Sequence, residues 1–575
     1  MIEIITRDGT PLDLSPDDEF NIEYESPLFS DDRIPVPYST SIAFLPTEVN
    51  SRVFGYLDAM MLEPSVRNLD VEIRVSGIPL FQGSLEYESY EDGRLNYNFS
   101  GKSIEDNLKG YIHETDGLTR IEGSTDVFRT YIFGDIADYI ERAHQGDESL
   151  DFGLPAVVSA ENIAKIETDE DPAQEIKPTE KFKNWPWKLN AFAPVAPAVR
   201  VKDIIEKASS GLVNVRFGEN AAELYSSLAV LAMYSKKDSL NGYEKGDYFP
   251  EVILDVASKL PECSVVDFII NVMKVMCASL WYDGGGLLML QNSDIIDDSG
   301  FIDWSALVSD VYSLSVEAGA VYEFAYQGEG DNNTLEEVPE NIETISGLDM
   351  VASHTNIQGE TIMEEDTGDI YSFSGAGTSG STDILYQNLR KDSEEETEDS
   401  DMDTFDASPD FHLVTCVPLQ IWERYGSNGT NRYWKIRLCP KLDFPALGDD
   451  RMTDMYIGIL FANQLSDKGI YPKSSVPGQF DPDAPMDLEP GNYDSGLSVV
   501  PGDLRKGLHK SFADWIGRDR VCASVDLDLS VMDLANLRLW RKVYFCGRTW
   551  MIKKLSMTFK VRTASIAVSG DFVSI

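Results

Sequence analysis

The sequence is poor in positive charge. Its 575 residues include 48 Lys and Arg against 98 Asp and Glu, which gives a formal net charge of −50 at pH 7. A nucleic-acid binder needs a basic surface to displace counterions from phosphate, and an anionic membrane surface selects for Lys and Arg as well. Both partners are therefore disfavoured. The acidic excess keeps a protein soluble, and it also suits a protein that must not adhere to passing DNA.

Cysteine is scarce and scattered. No two of the cysteines have C-x-x-C spacing, whereas disulfide frameworks and zinc sites need clustered spacing. We therefore predict that all six are small core residues, namely Cys263, Cys277, Cys416, Cys439, Cys522 and Cys546.

Export signals and long apolar runs are missing too. Residues 1–8 lack the basic and apolar regions of a signal peptide. The most apolar stretch, 264–280, is interrupted by Asp267, Asn271 and Lys274, whereas a spanning helix needs about 20 nearly uncharged residues. We expect no membrane segment, and synthesis in the cytoplasm.

Familiar catalytic patterns are also absent. The five histidines have no H-E-x-x-H spacing, there is no G-x-S-x-G, and no P-loop or G-x-G-x-x-G follows a predicted strand. Among 98 carboxylates, no pair stands out as a candidate for acid–base chemistry. Residues 399–410 begin like a calcium loop, but Thr404 replaces the Gly at position six and Asp410 the Glu at position twelve, so a hydrated acidic loop is the plainer interpretation. We predict no enzymatic activity, no cofactor, and no catalytic, cofactor-binding or metal-binding residues.

A β pattern occupies the first 110 residues. Val71, Ile73 and Val75 alternate with polar residues, and Asp92 with Gly93 forms a favoured two-residue hairpin turn. The C-terminal residues repeat the pattern, with a strand ending at a glycine, a long strand and a third strand. Antiparallel strands joined by short turns are typical of a small barrel or sandwich. The repetition predicts two related β-barrel-like units.

Helical patterns lie between and beside these units. Apolar periodicity predicts a helix over 201–208 and a longer one from Ser264, each followed by a hairpin, the second hairpin covering 280–290. The Met-containing face of the longer helix is predicted to be core. A helix at 508–515 is predicted to dock within the protein or on an acidic neighbour through Leu508, Phe512 and Trp515.

The predicted fold class is mainly β with α+β insertions, in a multidomain chain with two small antiparallel β-barrel-like units and helix-hairpin domains. In chain order we expect an N-terminal β-barrel-like domain at 1–112, an irregular Pro-rich connector at 113–200, a helix-hairpin α+β domain at 201–300, a β-rich region at 301–500 with an acidic insertion at 330–410, and a C-terminal β-barrel-like unit at 501–575. Trp185 and Trp187 in the connector are expected in the core or at a subunit interface, with sugar stacking as the alternative.

Three segments together resemble a tail-associated structural protein of temperate tailed phages. Residues 38–55 look like a Y-S-x-x-I-x-x-L-P-T-x-x-N stretch near the start of such proteins. The proline-preceded helix over 197–208 and the helix-then-strands region over 497–555 follow in the same order. The arrangement is also similar to baseplate hub proteins, whose paired β-barrels form a trimeric ring that continues the tail tube.

The resemblance implies a mechanical role. The expected function is a structural component of a phage tail tip or baseplate, a hub-like ring that joins the tail tube to a distal spike or adsorption apparatus in the virion. Expected partners are further copies of the chain, as a homotrimer, and other tail proteins such as tube, spike and tape measure, without sequence-specific nucleic-acid binding. Two alternatives stay open: a tail-associated wall- or glycan-degrading hydrolase that uses carboxylates, and a carbohydrate- or receptor-binding tail module.

Overall fold

The computed structural model describes most of the two chain ends and parts of the middle. The described residues are 1–30, 35–55, 68–101, 108, 110–122, 139, 142–143, 147, 149–154, 157–159, 182–183, 197–232, 253–283, 286–327, 361–363, 370–374, 383–384, 403–413, 416–425, 430–442, 453–459, 463–466, 469–472, 499 and 501–575. Wholly or largely outside them lie residues 136–143, for which the sequence predicts a short helix, Trp185 with Trp187, most of the acidic insertion, and the first residues of the calcium-like loop.

The described chain is mainly β, as predicted. The strands before residue 300 are β1 Ile2–Thr6, β2 Pro11–Leu12, β3 Glu19–Glu25, β4 Tyr38–Phe44, β5 Asn68–Val75, β6 Ile78–Glu91, β7 Arg94–Gly101, β8 Arg120–Glu122, β9 Phe152–Gly153, β10 Val157–Ser159, β11 Phe182–Lys183, β12 Ala198–Arg200, β13 Val213–Arg216, β14 Leu228–Leu231, β15 Ile253–Asp255, β16 Ala278–Asp283 and β17 Gly286–Gln291.

The strands after residue 300 are β18 Phe301–Asp303, β19 Val308–Glu317, β20 Val321–Glu323, β21 Thr361–Met363, β22 Ile370–Ser374, β23 Asp383–Ile384, β24 Thr404–Asp406, β25 Phe411–Leu413, β26 Cys416–Tyr425, β27 Thr430–Leu442, β28 Met455–Ile459, β29 Asn463–Ser466, β30 Gly469–Pro472, β31 Arg520–Leu527, β32 Lys542–Phe545, β33 Arg548–Lys560 and β34 Ser565–Ser574. The described α-helices are α1 Glu48–Val53, α2 Val201–Ala208, α3 Glu219–Ser227, α4 Val265–Val275, α5 Asn292–Asp297, α6 Pro501–Lys506, α7 Lys510–Ile516 and α8 Val531–Ala535.

Six N-terminal strands lie side by side in the order β3-β4-β7-β6-β5-β1, with the short β2 outside β1. Alternate residues of β5 are buried, including Val71, Ile73 and Val75, because successive side chains of a strand point to opposite faces. The predicted turn at Asp92 and Gly93 is confirmed: both residues have positive φ, 51° and 75°, as a type I′ hairpin turn requires. We refer to these strands, with α1, as the N-terminal unit.

The second β unit repeats this strand order. Its strands lie in the order β19-β31-β34-β33-β32-β18, and they follow one another along the chain just as β1, β3, β4, β5, β6 and β7 do. A short helix separates the corresponding strands in both units, α1 between β4 and β5, and α8 between β31 and β32. One difference is that β18 runs parallel to β32, whereas β1 runs antiparallel to β5. We refer to β18, β19, α8 and β31–β34 as the C-terminal unit.

Each unit is curled, because its two edge strands are neighbours in the sequence. Residues 304–307 connect the edge strands β18 and β19, and residues 13–18 connect β2 to β3. A link of four residues spans at most about 14 Å, so the opposite edges of the sheet must lie near each other. The units are therefore barrel-like, although no pairing between described strands closes either one.

The two units are fused into one sheet through β3 and β33. They pair antiparallel from Glu19 opposite Lys560 to Glu25 opposite Lys554. Before that stretch, the same edge of β33 pairs with β32 of its own unit, while its other edge pairs with β34. The second half of β33 therefore extends past β32, and it covers the outer edge of the N-terminal unit while its other edge stays paired with β34. The sequence pattern predicted the two units but not their fusion.

The α+β part between the units departs from the prediction in one respect. The hairpin expected at 280–290 is present as β16 and β17, and Ser264 caps α4 by accepting a hydrogen bond from the backbone N–H of Asp267. The helix α2, however, is followed by a single strand, β13, which pairs parallel with β17. Parallel pairing requires a long crossover connection, here through α3 and α4, and nothing in the local sequence around β13 specifies it.

A glycine pattern in the acidic insertion falls next to a strand. Residues 375–380 have G-x-G-x-x-G spacing, and they directly follow β22, which lies within the acidic insertion expected at 330–410. A dinucleotide site needs a helix next and then a parallel strand. Here β22 pairs antiparallel with β23, the next described strand, and residues 375–382 between them lie outside the described residues. The spacing does not indicate a nucleotide site.

One cysteine contradicts the prediction that all are core residues. Cys277 is buried, and Cys263 and Cys522 are half-buried, but Cys546 is exposed. Cys546 and Gly547 form the turn between β32 and β33 with φ values of 50° and 76°. Turn residues at the end of a hairpin lie at the surface even when the strands that they join are apolar and buried. Cys546 is therefore exposed although the strand that precedes it is largely apolar.

Candidate functional site

The described residues contain no group of three or more His, Cys, Asp or Glu that would hold a metal ion. Of the calcium-like loop, residues 404–406 form β24, and the backbone N–H of Asp410 donates to Asn271 Oδ1 at 2.7 Å. The nearest arrangement to a catalytic constellation is a buried trio, Cys277, Tyr322 and His509, that sequence spacing did not bring together.

The trio is a linear chain of polar contacts. His509 Nε2 lies 2.9 Å from the carbonyl oxygen of Val275, and Nδ1 lies 2.8 Å from the Tyr322 hydroxyl. Because a carbonyl oxygen only accepts, Nε2 carries the proton, and the Tyr322 hydroxyl donates to Nδ1. Tyr322 Oη is also 3.9 Å from Cys277 Sγ. Both ring nitrogens of the buried imidazole are therefore satisfied in its neutral form.

Burial holds all three groups neutral. It lowers the pKa of His509 to about 4, raises the pKa of Cys277 to about 12, and raises the pKa of Tyr322 well above its usual value. A nucleophilic cysteine needs a depressed thiol pKa beside a histidine that accepts its proton. The shifts here run in the opposite direction, so the trio fits a structural network of the core.

A small cavity lies next to this trio. Its volume is about 30 Å³, and its lining includes Met273, Lys274, Phe405 and Phe512. Lys274 is engaged, because its ammonium donates to the carbonyl oxygen of Ser408 at 2.9 Å. A space of this size holds only a few waters. It provides no room for a substrate.

The helix predicted at 508–515 docks inside the protein, as expected. In α7, Phe512 and Trp515 are buried, with Phe512 against Phe405 and Trp515 against Phe29. Leu508 is half-buried. These aromatic contacts join the C-terminal helix to the N-terminal unit and to β24.

Residues 38–55, which carry the sequence resemblance, fasten the two edges of the N-terminal unit. Thr47 caps α1 by accepting from the backbone N–H of Asn50 at 3.2 Å, and its hydroxyl donates to Asp13 Oδ2 at 2.6 Å. The buried Asn50 amide donates to the carbonyl oxygens of Asp13 and Leu45, both at 2.8 Å, and its Oδ1 accepts from Asp13 N–H at 2.9 Å. This side chain ties α1 to the link between β2 and β3.

The junction of β3 with β33 has both apolar and charged contacts. The rings of Phe20 and Phe559 stack with their centroids 4.9 Å apart. On the other face, Lys554 Nζ lies 2.6 Å from Glu23 Oε2 and 3.8 Å from Glu25 Oε1. The hydrogen bond between Lys554 and Glu23 lowers the pKa of Glu23 and raises the pKa of Lys554. The junction thus covers the edge of β3 with backbone pairing, stacked rings on one face and an ion pair on the other.

The equivalent edge of the C-terminal unit is exposed. In β19, Leu314 is 66% and Val316 69% exposed. They lie opposite Ala523 and Val521 of β31, and Ala523 is buried and pairs with Phe572. Residues directly opposite in a sheet share a face. Leu314 therefore lies on the core-facing side of the sheet, yet 66% of it is exposed and no described strand pairs with the outer edge of β19.

The exposed apolar edge of β19 was missed at the sequence level. The alternation of Leu314 and Val316 with serines is readable as a strand, but whether a strand is an edge depends on pairing with β31, which is about 200 residues away in the sequence.

Among the described residues, no helix is long and apolar enough to cross a membrane.

Comparisons with solved structures give distant likenesses, and two of these are tail proteins. No protein-family model matches the sequence, and no curated protein matches it. The 43 kDa tail protein of prophage MuSo2 from Shewanella oneidensis is similar at 8% identity and a TM-score of 0.32, covering 100% of this chain and 97% of that chain. The tail protein from Neisseria meningitidis MC58 is similar at 8% identity and a TM-score of 0.30, covering 100% of this chain and 96% of that chain. At these TM-scores neither likeness carries an argument about this chain.

Proposed function

We propose that the chain is a structural component of a phage tail tip or baseplate, a hub-like ring that joins the tail tube to a distal spike or adsorption apparatus. In this role it assembles as a homotrimer, resides in the virion, and contacts other tail proteins such as tube, spike and tape measure. The starting point is the resemblance of residues 38–55, 197–208 and 497–555 to tail-associated proteins.

The observation that carries the proposal is the duplicated strand order. Two units with the same order are joined by a strand of one that covers the edge of the other. Repeating one kind of junction around an axis produces a closed ring. Three copies of a chain with two such units supply six equivalent positions. A ring of that kind has the form required to continue a tube.

The charge supports the same role. With a net charge of −50, the wall of a channel through such a ring repels sliding DNA instead of binding it. The neutral, fully buried Cys277, Tyr322 and His509 also favour a mechanical role over a catalytic one. We propose that the chain has no enzymatic activity.

Immunogold electron microscopy of purified phage particles, with antibody against this chain, tests the proposal. We expect gold at the distal end of the tail. Particles that never label, and in which mass spectrometry also fails to find the chain, would overturn the proposed virion role. Zymography against cell-wall material tests the hydrolase alternative: lysis that disappears on mutation of one acid pair would contradict the structural role.

A further inference from the structure

We propose that the exposed edge of β19 in one copy pairs with the last residues of β6 in a second copy, in the arrangement that β33 and β3 have within one chain. This inference deepens the proposed ring and rests on it. It assigns the contact between copies to two strands of this chain, β19 in the C-terminal unit and β6 in the N-terminal unit.

The first step is positional equivalence. In the shared strand order, β19 of the C-terminal unit holds the place that β3 holds in the N-terminal unit, and β6 holds the place of β33. Within the chain, β33 covers β3 over Glu19–Glu25. The junction that would repeat this contact is therefore β6 covering β19. Within one chain six strands of the sheet lie between β19 and β6, namely β31, β34, β33, β3, β4 and β7, so the pairing joins different copies.

The second step is that the covered and the exposed edges carry the same kind of side chain. On β3, Phe20 and Ile22 face the core and are buried, with Phe20 stacked on Phe559 of β33. On β19, Leu314 and Val316 also lie on the core-facing side, yet they are more than half exposed. Large exposed apolar side chains on an edge strand favour pairing with another strand.

The third step is that β6 extends beyond its partner in the way that β33 does. Pairing of β5 with β6 ends at Asn68 opposite Glu86, whereas β6 continues to Glu91 along β7. Beyond Glu86, no described strand pairs with the edge that β5 occupies. Tyr87 and Tyr90 lie opposite Tyr97 and Leu95, which are both buried, so they face the core side, and Tyr90 is 42% exposed. These two rings match the place of Met557 and Phe559 on β33.

The fourth step concerns the occupant. Both halves of the contact belong to this chain, one in each unit, so the interface is head-to-tail and closes only as a ring of copies. Neither β19 nor β6 contains Lys or Arg, while Glu317 and Glu86 carry negative charge. The contact between copies thus lacks the counterpart of Lys554 in the junction within the chain. It depends on apolar side chains and backbone pairing, and we expect it to be weaker than the internal junction.

Cross-linking between differently labelled copies tests this pairing. In a background of Cys416→Ser, Cys439→Ser and Cys546→Asn, Leu314→Cys and Tyr90→Cys are made in separate full-length chains of different tag size. Cys546 is the exposed cysteine among those whose side chains the structure describes. The chains are mixed and treated with a short bis-maleimide. We expect a mixed dimer when both variants are present, and none with either alone. The control replaces Tyr90→Cys with Tyr111→Cys, because Tyr111 is 43% exposed and Tyr90 42%, but Tyr111 lies outside both units.

A second variant keeps the test independent of thiol chemistry. Leu314→Asp with Val316→Asp alters only exposed side chains, so we expect an unchanged melting temperature and at least tenfold weaker self-association in sedimentation. If the native chain self-associates but neither the cross-link nor this loss is seen, the β19–β6 pairing is wrong while the proposed ring stands. If the native chain is monomeric at every concentration tested, the ring and this inference both fail.

Discussion

At the scale of single residues, the side chain of Asn50 makes three hydrogen bonds to backbone groups outside α1. It satisfies the backbone N–H and carbonyl of Asp13 and the carbonyl of Leu45 from a buried position. Replacing it with Ala leaves part-buried backbone groups without this partner and removes a buried side chain, so we expect Asn50→Ala to lower the free energy of unfolding by about 1–3 kcal/mol. Urea denaturation measures this.

The matched control for that change is Asn536→Ala. Asn536 is partly exposed, and its side chain makes one local hydrogen bond, to the carbonyl of Met532. We expect a cost below about 1 kcal/mol there. Equal costs at the two positions would mean that Asn50 does not fasten the edges of the N-terminal unit.

His509 makes the stability depend on pH. Its folded pKa is about 4, because burial disfavours the charged ring, whereas an unfolded histidine has a pKa of about 6.5. As the pH falls from about 6.5 to about 4, the unfolded chain binds a proton that the folded chain does not, so stability is lost at up to about 1.4 kcal/mol per pH unit. His509→Gln removes this contribution, and Tyr322→Phe, which keeps the histidine, retains it.

Unfolding free energies measured between pH 7.5 and pH 4.5 for the wild type and both variants test this prediction. The difference between wild type and His509→Gln should shrink by roughly 3 kcal/mol across the interval. A difference that is constant with pH would show that the imidazole titrates in the folded protein as it does in the unfolded chain.

At the scale of elements, the two units have the same kind of turn at corresponding places. It joins β5 to β6 in the N-terminal unit and β32 to β33 in the C-terminal unit. Ser76 with Gly77, and Cys546 with Gly547, have positive φ at both positions: 52° and 79°, and 50° and 76°. Asn tolerates this conformation better than Ser or Cys and is favoured in type I′ turns. We expect Ser76→Asn and Cys546→Asn each to raise the free energy of unfolding by about 0.5 kcal/mol.

Thermal denaturation of both variants tests that expectation, with Ser511→Asn as the control because Ser511 lies in a helix. Stabilisation at one turn and loss at the other would contradict the equivalence of the two hairpins.

The elements that the sequence predicted are those with local causes. Alternation in β5, the turn at Asp92 and the cap at Ser264 all depend on residues within a few positions of each other, and all three are confirmed. The parallel pairing of β13 with β17 and the antiparallel pairing of β3 with β33 depend on distant partners. Local pattern holds no information about which strand lies next to which, so these features were missed.

At the scale of the whole molecule, the distinction between local causes and distant strand partners also explains which features of the candidate site could be predicted. Repetition of strand, glycine turn and long strand predicted two related units, and the shared strand order bears this out. The exposed edge at Leu314 was not predictable, because exposure follows from the place of β19 at the end of a sheet whose other strands come from both ends of the chain. The domain bounds drawn from composition stay predictions.

Net charge governs how such a chain self-associates. At −50 per copy, neighbouring copies in a ring repel each other, and neither β19 nor β6 contributes a Lys or Arg to offset the repulsion. Salt screens this repulsion, since the Debye length falls from about 10 Å at 0.1 M to about 3 Å at 1 M. We therefore expect self-association to strengthen about tenfold as salt rises from 0.05 M to 0.5 M, a change of about 1.4 kcal/mol. Sedimentation equilibrium measures it, and Leu314→Asp with Val316→Asp should lower the association at every salt concentration. Dissociation of the wild type by salt would instead mean that ion pairs hold the copies together, and an interface built on the apolar edge of β19 would then be wrong.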